Sequence, residues 1–439
     1  MTAEQLRNSI LQEAVLGHLV PQNPVDEPAS TLLERVRLAR ESLLREKKVK
    51  AKDIDSAPIQ EDERTFELPA QWEFVRLNYV ATIARGGSPR PIKEYLTDSP
   101  NGYNWIKIGD TEKGGKYINH TKERIKPEGL KKSRLIHKGD FLLTNSMSFG
   151  RPYISNIEGC IHDGWLVISP AFGEVFDKDY LYYVLSSPYV KDQFLGKVSG
   201  AVVQNLNSDK VATSVIPLPP LAEQQRIAAK LEELLPIVEQ YGKAQTELDE
   251  LNAALPARLR QSILQEAFKG KLTHADTTEW IEENLGKIAD FLYGFPFQAN
   301  MFNEEKNGKP IIRIRNIVPS WTRTYSTEIC DEKYLITKGD MLVGMDGNFN
   351  VRFWKGEDAY LNQRVCRITA HVGKLHQKYL YYYLPVYLQE LEENVSRTTV
   401  GHLSDKHLRN MPIPLPPLAE QQRIVAKIEE LFAEIDKLK

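Results

Sequence analysis

The 439-residue sequence predicts an α+β chain in which two mixed α/β domains are separated by two long antiparallel helical regions, in a pseudo-twofold circular arrangement. Three observations lead there. Ile216–Leu235 (IPLPPLAEQQRIAAKLEELL) recurs at Ile413–Phe432 (IPLPPLAEQQRIVAKIEELF), identical at all but three of twenty positions, and such a repeat reports a duplicated supersecondary unit. A second block, LRNSILQEAVLGHL from Leu6, recurs as LRQSILQEAFKGKL from Leu259. The blocks stand in the order second, unique segment, first joined to second, unique segment, first. This is a circularly permuted tandem repeat whose central copy is whole and whose twin is split between the termini. If the split copy pairs in space as the central one does, the chain ends lie together.

The elements follow in order. Leu6–Leu19 is an amphipathic helix with Leu6, Ile10, Ala14 and Leu16 inward, ended by Pro21, Pro24 and Pro28. A second helix is expected from Ser30, as N-cap, to Lys48; it has no counterpart after Leu272 and is an insertion. Asp53–Arg64, rich in acids, reads as an irregular linker. From Trp72, short apolar runs bounded by turn residues predict strands at Asn104–Gly109, Asp140–Thr144 and Trp165–Ser169, with a helix from Tyr180 to Ser186. The central helix is expected from Leu221 to about Leu255, roughly 50 Å long, with Pro256 ending or kinking it. Its seam of Leu231, Leu234, Val238, Tyr241, Leu248, Leu251 and Leu255 implies a partner helix. The second unique segment echoes the first: Trp280 with Leu285 and Ala289 matches Trp72 with Leu77 and Ala81, LITKGDMLV from Leu335 matches LIHKGDFLL from Leu135, and KYLYYYL from Lys378 matches DYLYYVL from Asp179. Aligning the split copy leaves about eleven positions between Gly242 and Ala254 without a terminal equivalent. The expected division is a helical region with its inserted helix at 1–50, a linker at 51–71, a mixed domain at 72–216, the central helical region at 217–273, a second mixed domain at 274–413, and at 414–439 a helix pairing with the N-terminal one.

Composition narrows the function classes. At 41% hydrophobic and 26% charged, the chain is ordinary globular material, and no apolar run reaches the roughly 20 residues that span a bilayer. Cys160, Cys330 and Cys366, odd in number and far apart, fit a reducing, cytoplasmic setting and argue against disulfides and zinc. The net charge of −2 conceals local excess: Arg85–Lys138 holds 13 Lys and Arg against 6 Asp and Glu, and Lys309–Arg367 holds 10 against 7. Basic faces for phosphate are therefore compatible with near-neutrality overall. Catalytic motifs are missing. Gly109–Lys116 only approaches a phosphate loop, with Tyr117 where Ser or Thr is required. There is no G-x-G-x-x-G, H-E-x-x-H or C-x-x-C motif. Asp331-x-Lys333 matches the tail of a nuclease motif but lacks its acidic strand. No catalytic or metal-binding residue is assigned. The residues alone leave open an interaction scaffold whose rods join protein subunits and whose mixed domains bind protein, and disfavour a standalone DNA-cutting enzyme.

The doubled PLPPLAEQQRI and SILQEA blocks, the Trp72-led and Trp280-led openings, and the KGD and YLYY elements together resemble the specificity subunit of type I restriction-modification enzymes, over nearly the whole chain. The resemblance implies a non-catalytic, cytoplasmic, DNA-binding subunit. Its unique segments would be target recognition domains, each reading half of a bipartite site on double-stranded DNA. Its repeated blocks would form a coiled-coil spacer that docks two modification (methyltransferase) subunits and, through them, two restriction (endonuclease and translocase) subunits. It implies no cofactor on this chain: S-adenosylmethionine, ATP and Mg are expected on the partners. The docking residues so implied are Leu221, Gln224, Gln225, Arg226, Leu418, Gln421, Gln422, Arg423, Gln12 and Gln265. The Ser30–Lys48 insertion departs from the pattern, so contacts around the N-terminal helix are expected to differ.

Base edges and phosphates are recognised by Arg, Lys, Asn and Gln and by Ser, Thr and glycine-rich loops. In the first segment these select Arg85, Ser88 and Arg90 of RGGSPR, Asn145, Ser146 and Arg151 of TNSMSFGR, and Gln204, Asn205 and Lys210. In the second they select Arg313, Arg315 and Asn316, Asn348, Asn350 and Arg352, Gln363 and Arg364, and Thr399, His402 and Lys406. Half-sites one helical turn apart lie about 34 to 36 Å centre to centre, a scale the central rod matches.

Overall fold

Thr2 starts the first helix, α1 (Ala3–Leu16), by accepting from Gln5 N, while the Gln5 side chain accepts in return from Thr2 N. This reciprocal cap satisfies two backbone donors that the helix cannot. A computed structural model describes residues 1–47, 56–112, 114–145, 150–170, 172–196, 206–347, 349–394 and 402–438. The chain divides into two units, Met1–Glu247 and Leu248–Lys439. Each begins with one SILQEA block and ends with one PLPPLAEQQRI block.

In the first unit α1 buries Leu11, Ala14 and Val15, with Leu6, Ile10 and Leu16 only half-buried. The stripe is rotated from the expected one because α1 packs on α3 (Lys178–Ser186) and α4 (Pro188–Gly196). The inserted helix α2 (Ala29–Arg45) is capped by Pro28 rather than Ser30. It docks through Leu32, Val36 and, unexpectedly, Arg40, whose guanidinium donates to Asn78 O and Tyr79 O and lies over the Tyr79 and Phe172 rings. The expected irregular linker is tied down beyond its undescribed start: buried Arg76 donates to Ala57 O (2.8 Å), Pro58 O (3.0 Å) and Glu63.

Glu73–Arg76 pairs antiparallel with Val215–Leu218, closing the first segment at its two ends. Between them lies a five-stranded sheet in the order Ala81–Arg85, Trp165–Pro170, Phe141–Thr144, Pro152–Ser155, Tyr117–Ile118. A four-stranded sheet runs Glu123–Ile125, Tyr103–Ile106, Gly159–Ile161, Arg134–Ile136. The helix α3 buries every residue from Tyr180 to Leu185 against the core that α1 and the first turns of the central helix complete.

The second unit repeats the plan. Ile281–Asn284 pairs with Pro412–Leu415. A four-stranded sheet runs Ala289–Tyr293, Val365–Ala370, Met341–Gly344, Val351–Phe353. A separate five-stranded sheet holds the parallel pair Lys309–Ile312 with Ala359–Leu361, which matches Tyr103–Ile106 with Gly159–Ile161 in the first unit. The central helix, α5, runs unbroken from Leu221 to Ala267, so Pro256 does not end it. The helix α6 (Gln377–Asn394) takes the place of α3, and α7 (Leu418–Asp436) buries Ile424, Val425, Ile428 and Ile435.

The predicted seam is only partly covered. Leu231 and Val238 are buried, whereas Tyr241, Leu248, Leu251 and Leu255 are exposed. In the first unit Tyr241 OH donates to Met1 O, at 2.8 Å. In the second, Arg260 donates to Asp436 at 2.7 Å and stacks on Phe432.

Candidate nucleic-acid interface

In the first unit Leu166 sits opposite Arg85 at the end of the paired strands Ala81–Arg85 and Trp165–Pro170. The chain then turns across the strand tip, Gly86 N donating to Trp165 O and Gly87 N to Ile161 O. A Cβ on Gly86 would lie 2.1 Å from His162 O, so this approach requires glycine. The turn gathers the RGGSPR side chains around Asp163. Ser88 Oγ donates to Asp163 Oδ1 (2.7 Å), Arg90 Nη2 lies 3.6 Å from Oδ2, and Arg85 Nε donates to the Asp163 carbonyl (3.1 Å). The Ser88 hydroxyl holds the Asp163 carboxyl below its ordinary pKa, while burial lowers that of the neighbouring His162 imidazole.

Asn145 joins this cluster as a brace. It is 2% exposed; its amide donates to Asp163 O, its N–H to Gly164 O, and its carbonyl accepts from Leu206 N. At that burial its amide braces the fold and does not present an open face to a base. Arg151 lies over the Tyr153 ring (5.4 Å), and half-buried Lys210 sits in the short helix Ser208–Ala212. Ser146, Gln204 and Asn205 lie outside the described residues.

The second unit builds the same corner from different side chains. Gly294 N donates to Val365 O, and a Cβ there would lie 2.1 Å from Asn362 O. Arg313 N donates to Asn316 Oδ1 just as Lys107 N donates to Asp110 Oδ2, which matches Arg313 to Lys107. Asn316 is buried and also donates to Trp321 O, so it caps a turn and does not face solvent. The Arg313 guanidinium lies over the Phe302 ring, and exposed Arg315 donates to Thr324 Oγ1 at 3.4 Å. Arg364, at φ 75°, meets His402 and Asp346: Arg364 Nη1 is 3.0 Å and Asp346 Oδ1 2.6 Å from His402 Nδ1. Exposed Gln363, Arg352 and Lys406 and half-buried Asn350 complete the described candidates, with Asn348 and Thr399 outside them. Sequence reasoning missed Asp163, Asp346 and Lys107. The KIGD and RIRN runs, aligned on their capping residues Asp110 and Asn316, were a usable signal for Lys107.

The repeated AEQQ residues behave differently from the expected docking face. Gln224 and Gln421 are completely buried. Gln224 donates to Val175 O and Pro219 O and accepts from Asp177 N, and Gln421 donates to Lys374 O and Pro416 O and accepts from His376 N. Both are internal clamps. Arg226 is half-buried and pairs with Asp26 (2.7 Å). Gln225, Gln422, Arg423 and Gln265 are exposed, and Leu221, Leu418 and Gln12 half-buried.

Among the described residues no cluster of three or more metal-ligating side chains occurs, and no helix is long and apolar enough to cross a membrane. The profile of the family described as the type I restriction modification DNA specificity domain matches residues 69–248 and 278–439. The EcoBI specificity subunit of Escherichia coli is 38% identical over 179 residues, a match that spans 41% of this chain and only 37% of that relative. The EcoAI specificity subunit of Escherichia coli is 24% identical across 99% of this chain and 90% of its own length. The crystal structure of the HsdS subunit from Thermoanaerobacter tengcongensis superposes with a TM-score of 0.54 at 23% identity, covering 85% of this chain and 92% of that one, which establishes likeness of fold.

Proposed function

The chain belongs to the type I restriction modification DNA specificity family, and from that premise we propose that it reads a bipartite site on double-stranded DNA for a type I restriction-modification complex. Recognition domains at 72–216 and 274–413 would each take one half-site. The observation that carries this reading is the corner built twice: one backbone geometry at Gly86 and Gly294, with Arg85, Ser88 and Arg90 gathered at it in one unit and Gln363 and Arg364 exposed beside it in the other. A shared frame with different polar side chains suits two different DNA sequences, because base edges are distinguished by donor and acceptor pattern.

The chain itself is non-catalytic in this reading and acts in the cytoplasm. Two modification subunits would dock on the helical regions through exposed Gln225, Gln422, Arg423 and Gln265, and two restriction subunits through them; S-adenosylmethionine, ATP and Mg belong to those partners. The test is selection from a random duplex library, with affinity followed against salt. A two-part motif is expected, with binding that falls steeply as salt rises. Arg313→Ala with Arg315→Ala should degrade one half of the motif, each lost base contact costing about 1 to 3 kcal/mol. An unchanged motif and affinity would remove that cluster from the interface.

A further inference from the structure

Resting on the DNA-reading assignment above, we propose that Asp163 is a specificity-determining residue of the first domain. Its carboxylate accepts from the exocyclic amino group of a cytosine or adenine edge and turns away keto edges. The side chain is 44% exposed at the centre of the candidate cluster. Two different parts of the residue do two different jobs. The backbone carbonyl holds Arg85 and the buried Asn145 amide, which shapes the corner. The carboxylate takes a hydrogen bond from Ser88 and stands 3.6 Å from the Arg90 guanidinium. Ser88 and Arg90 do not use up the carboxylate, which offers more acceptor positions than they occupy and stays 44% exposed, so acceptor capacity is left over for a base.

A carboxylate offers roughly four acceptor positions and no donor. Asp and Glu accordingly accept from amino groups in the major groove, whereas a keto oxygen brought against the same carboxylate oxygen is repelled, acceptor against acceptor. Ser88 and Arg90 fix the direction of the carboxylate, and the adjoining cleft, lined by Trp105, Lys107, Glu123 and His162, leaves its rim open. The second domain supplies an internal comparison. Gly86 binds Trp165 O and Gly294 binds Val365 O, so Asp163, two residues before Trp165, corresponds to Gln363, two before Val365. Gln363 is exposed as well. Glutamine both donates and accepts, so matched positions offer different hydrogen-bond patterns, as a base-reading position should.

The experiment compares the full chain with Asp163→Asn and Asp163→Gln in selections from a random duplex library. The expected result is that at one position of one half-site the preference for cytosine or adenine relaxes roughly tenfold, while the other half-site is retained and reports that each variant is folded. Retention of the original preference at every position in both variants would overturn the inference. So would complete loss of that half-site in both, because a discriminating contact relaxes selection and a structural one abolishes it. If the unaltered chain shows no sequence preference, the DNA-reading assignment itself fails; if it is selective and the variants match it, only the role of Asp163 fails.

Discussion

Glu223 is completely buried, yet it carries an ionisable carboxyl. Trp72 Nε1 donates to its Oε2 (2.9 Å) and Gln22 Nε2 to its Oε1, so the acid joins three stretches of the first unit. Burial raises its pKa above the ordinary value, opposed by those two donors and by Arg226. The sign follows from linkage. A carboxyl with a raised folded-state pKa holds its proton more tightly when folded, so its contribution to stability is most favourable at acid pH and declines as pH rises through the window between the unfolded and folded values. Glu223→Gln removes that slope. Chemical denaturation from about pH 4 to about pH 7 should show the variant gaining on the unaltered protein as pH rises; parallel stability curves would mean that Glu223 does not titrate in that window. Residue chemistry of this kind was the least legible part of the sequence. A repeated AEQQ run looks the same whether it faces a partner or the interior, and Asp163 and Asp346 stand out from the chain's 59 Asp and Glu only once the fold brings basic side chains beside them.

At the level of elements, buried polar clamps hold the recognition frame to its helices. Gln224, in the first turn of α5, satisfies backbone groups at Val175, Asp177 and Pro219; Gln421 does the same in α7 for Lys374, His376 and Pro416. Ion pairs a few turns along differ between the units. Glu232 of α5 meets Lys116, which also pairs with Asp179, whereas Glu429 of α7 meets Lys378 directly, at 2.7 Å. Burial works against the Lys116 charge, but Asp179 and Glu232 outweigh it and hold its pKa above the usual range. Truncating Gln224 to Ala leaves several buried backbone groups without partners, each worth about 1 to 3 kcal/mol. Gln224→Ala should therefore lower the unfolding free energy by about 2 kcal/mol or more, and Gln421→Ala should do likewise for the second unit. Calorimetric traces unchanged in both variants would rule out a clamping role. Strands and helices with strong periodicity were readable in advance, including Phe141–Thr144, Trp165–Pro170 and Lys178–Ser186. The end of α5 was not. Proline removes one helical hydrogen bond, at a cost of about 3 kcal/mol, and packing about two to three turns further on, through Ile263, Leu264 and Ala267 on the second core, offsets it.

Across the whole chain, the proposed bipartite reading would give the duplication its use, as two weak contacts made together. Two linked half-site contacts act as one strong contact only where the linker matches the separation, because effective concentration collapses when both ends cannot engage. The boundary between the units falls inside α5, a single helix of 47 residues that runs through both Pro236 and Pro256. A change of length in α5 between its two packed ends therefore lengthens the stretch of helix that joins the units. Around the boundary the helix is a good place for such a change: Gln245 is half-buried, while Leu248, Leu251 and Leu255 are exposed, so added residues displace no core. Four residues inserted at Gln245 add about 6 Å of helix, equivalent to roughly one to two base pairs at 3.4 Å per step. The recognised site should keep both half-sites and lengthen its non-specific spacer by that amount, as read by library selection or by methylome sequencing of cells that carry the chain with its modification partner. An insertion that leaves the spacer unchanged would show that α5 does not set the separation, and loss of one half-site would show that the inserted turn disturbs a recognition domain and not the linker.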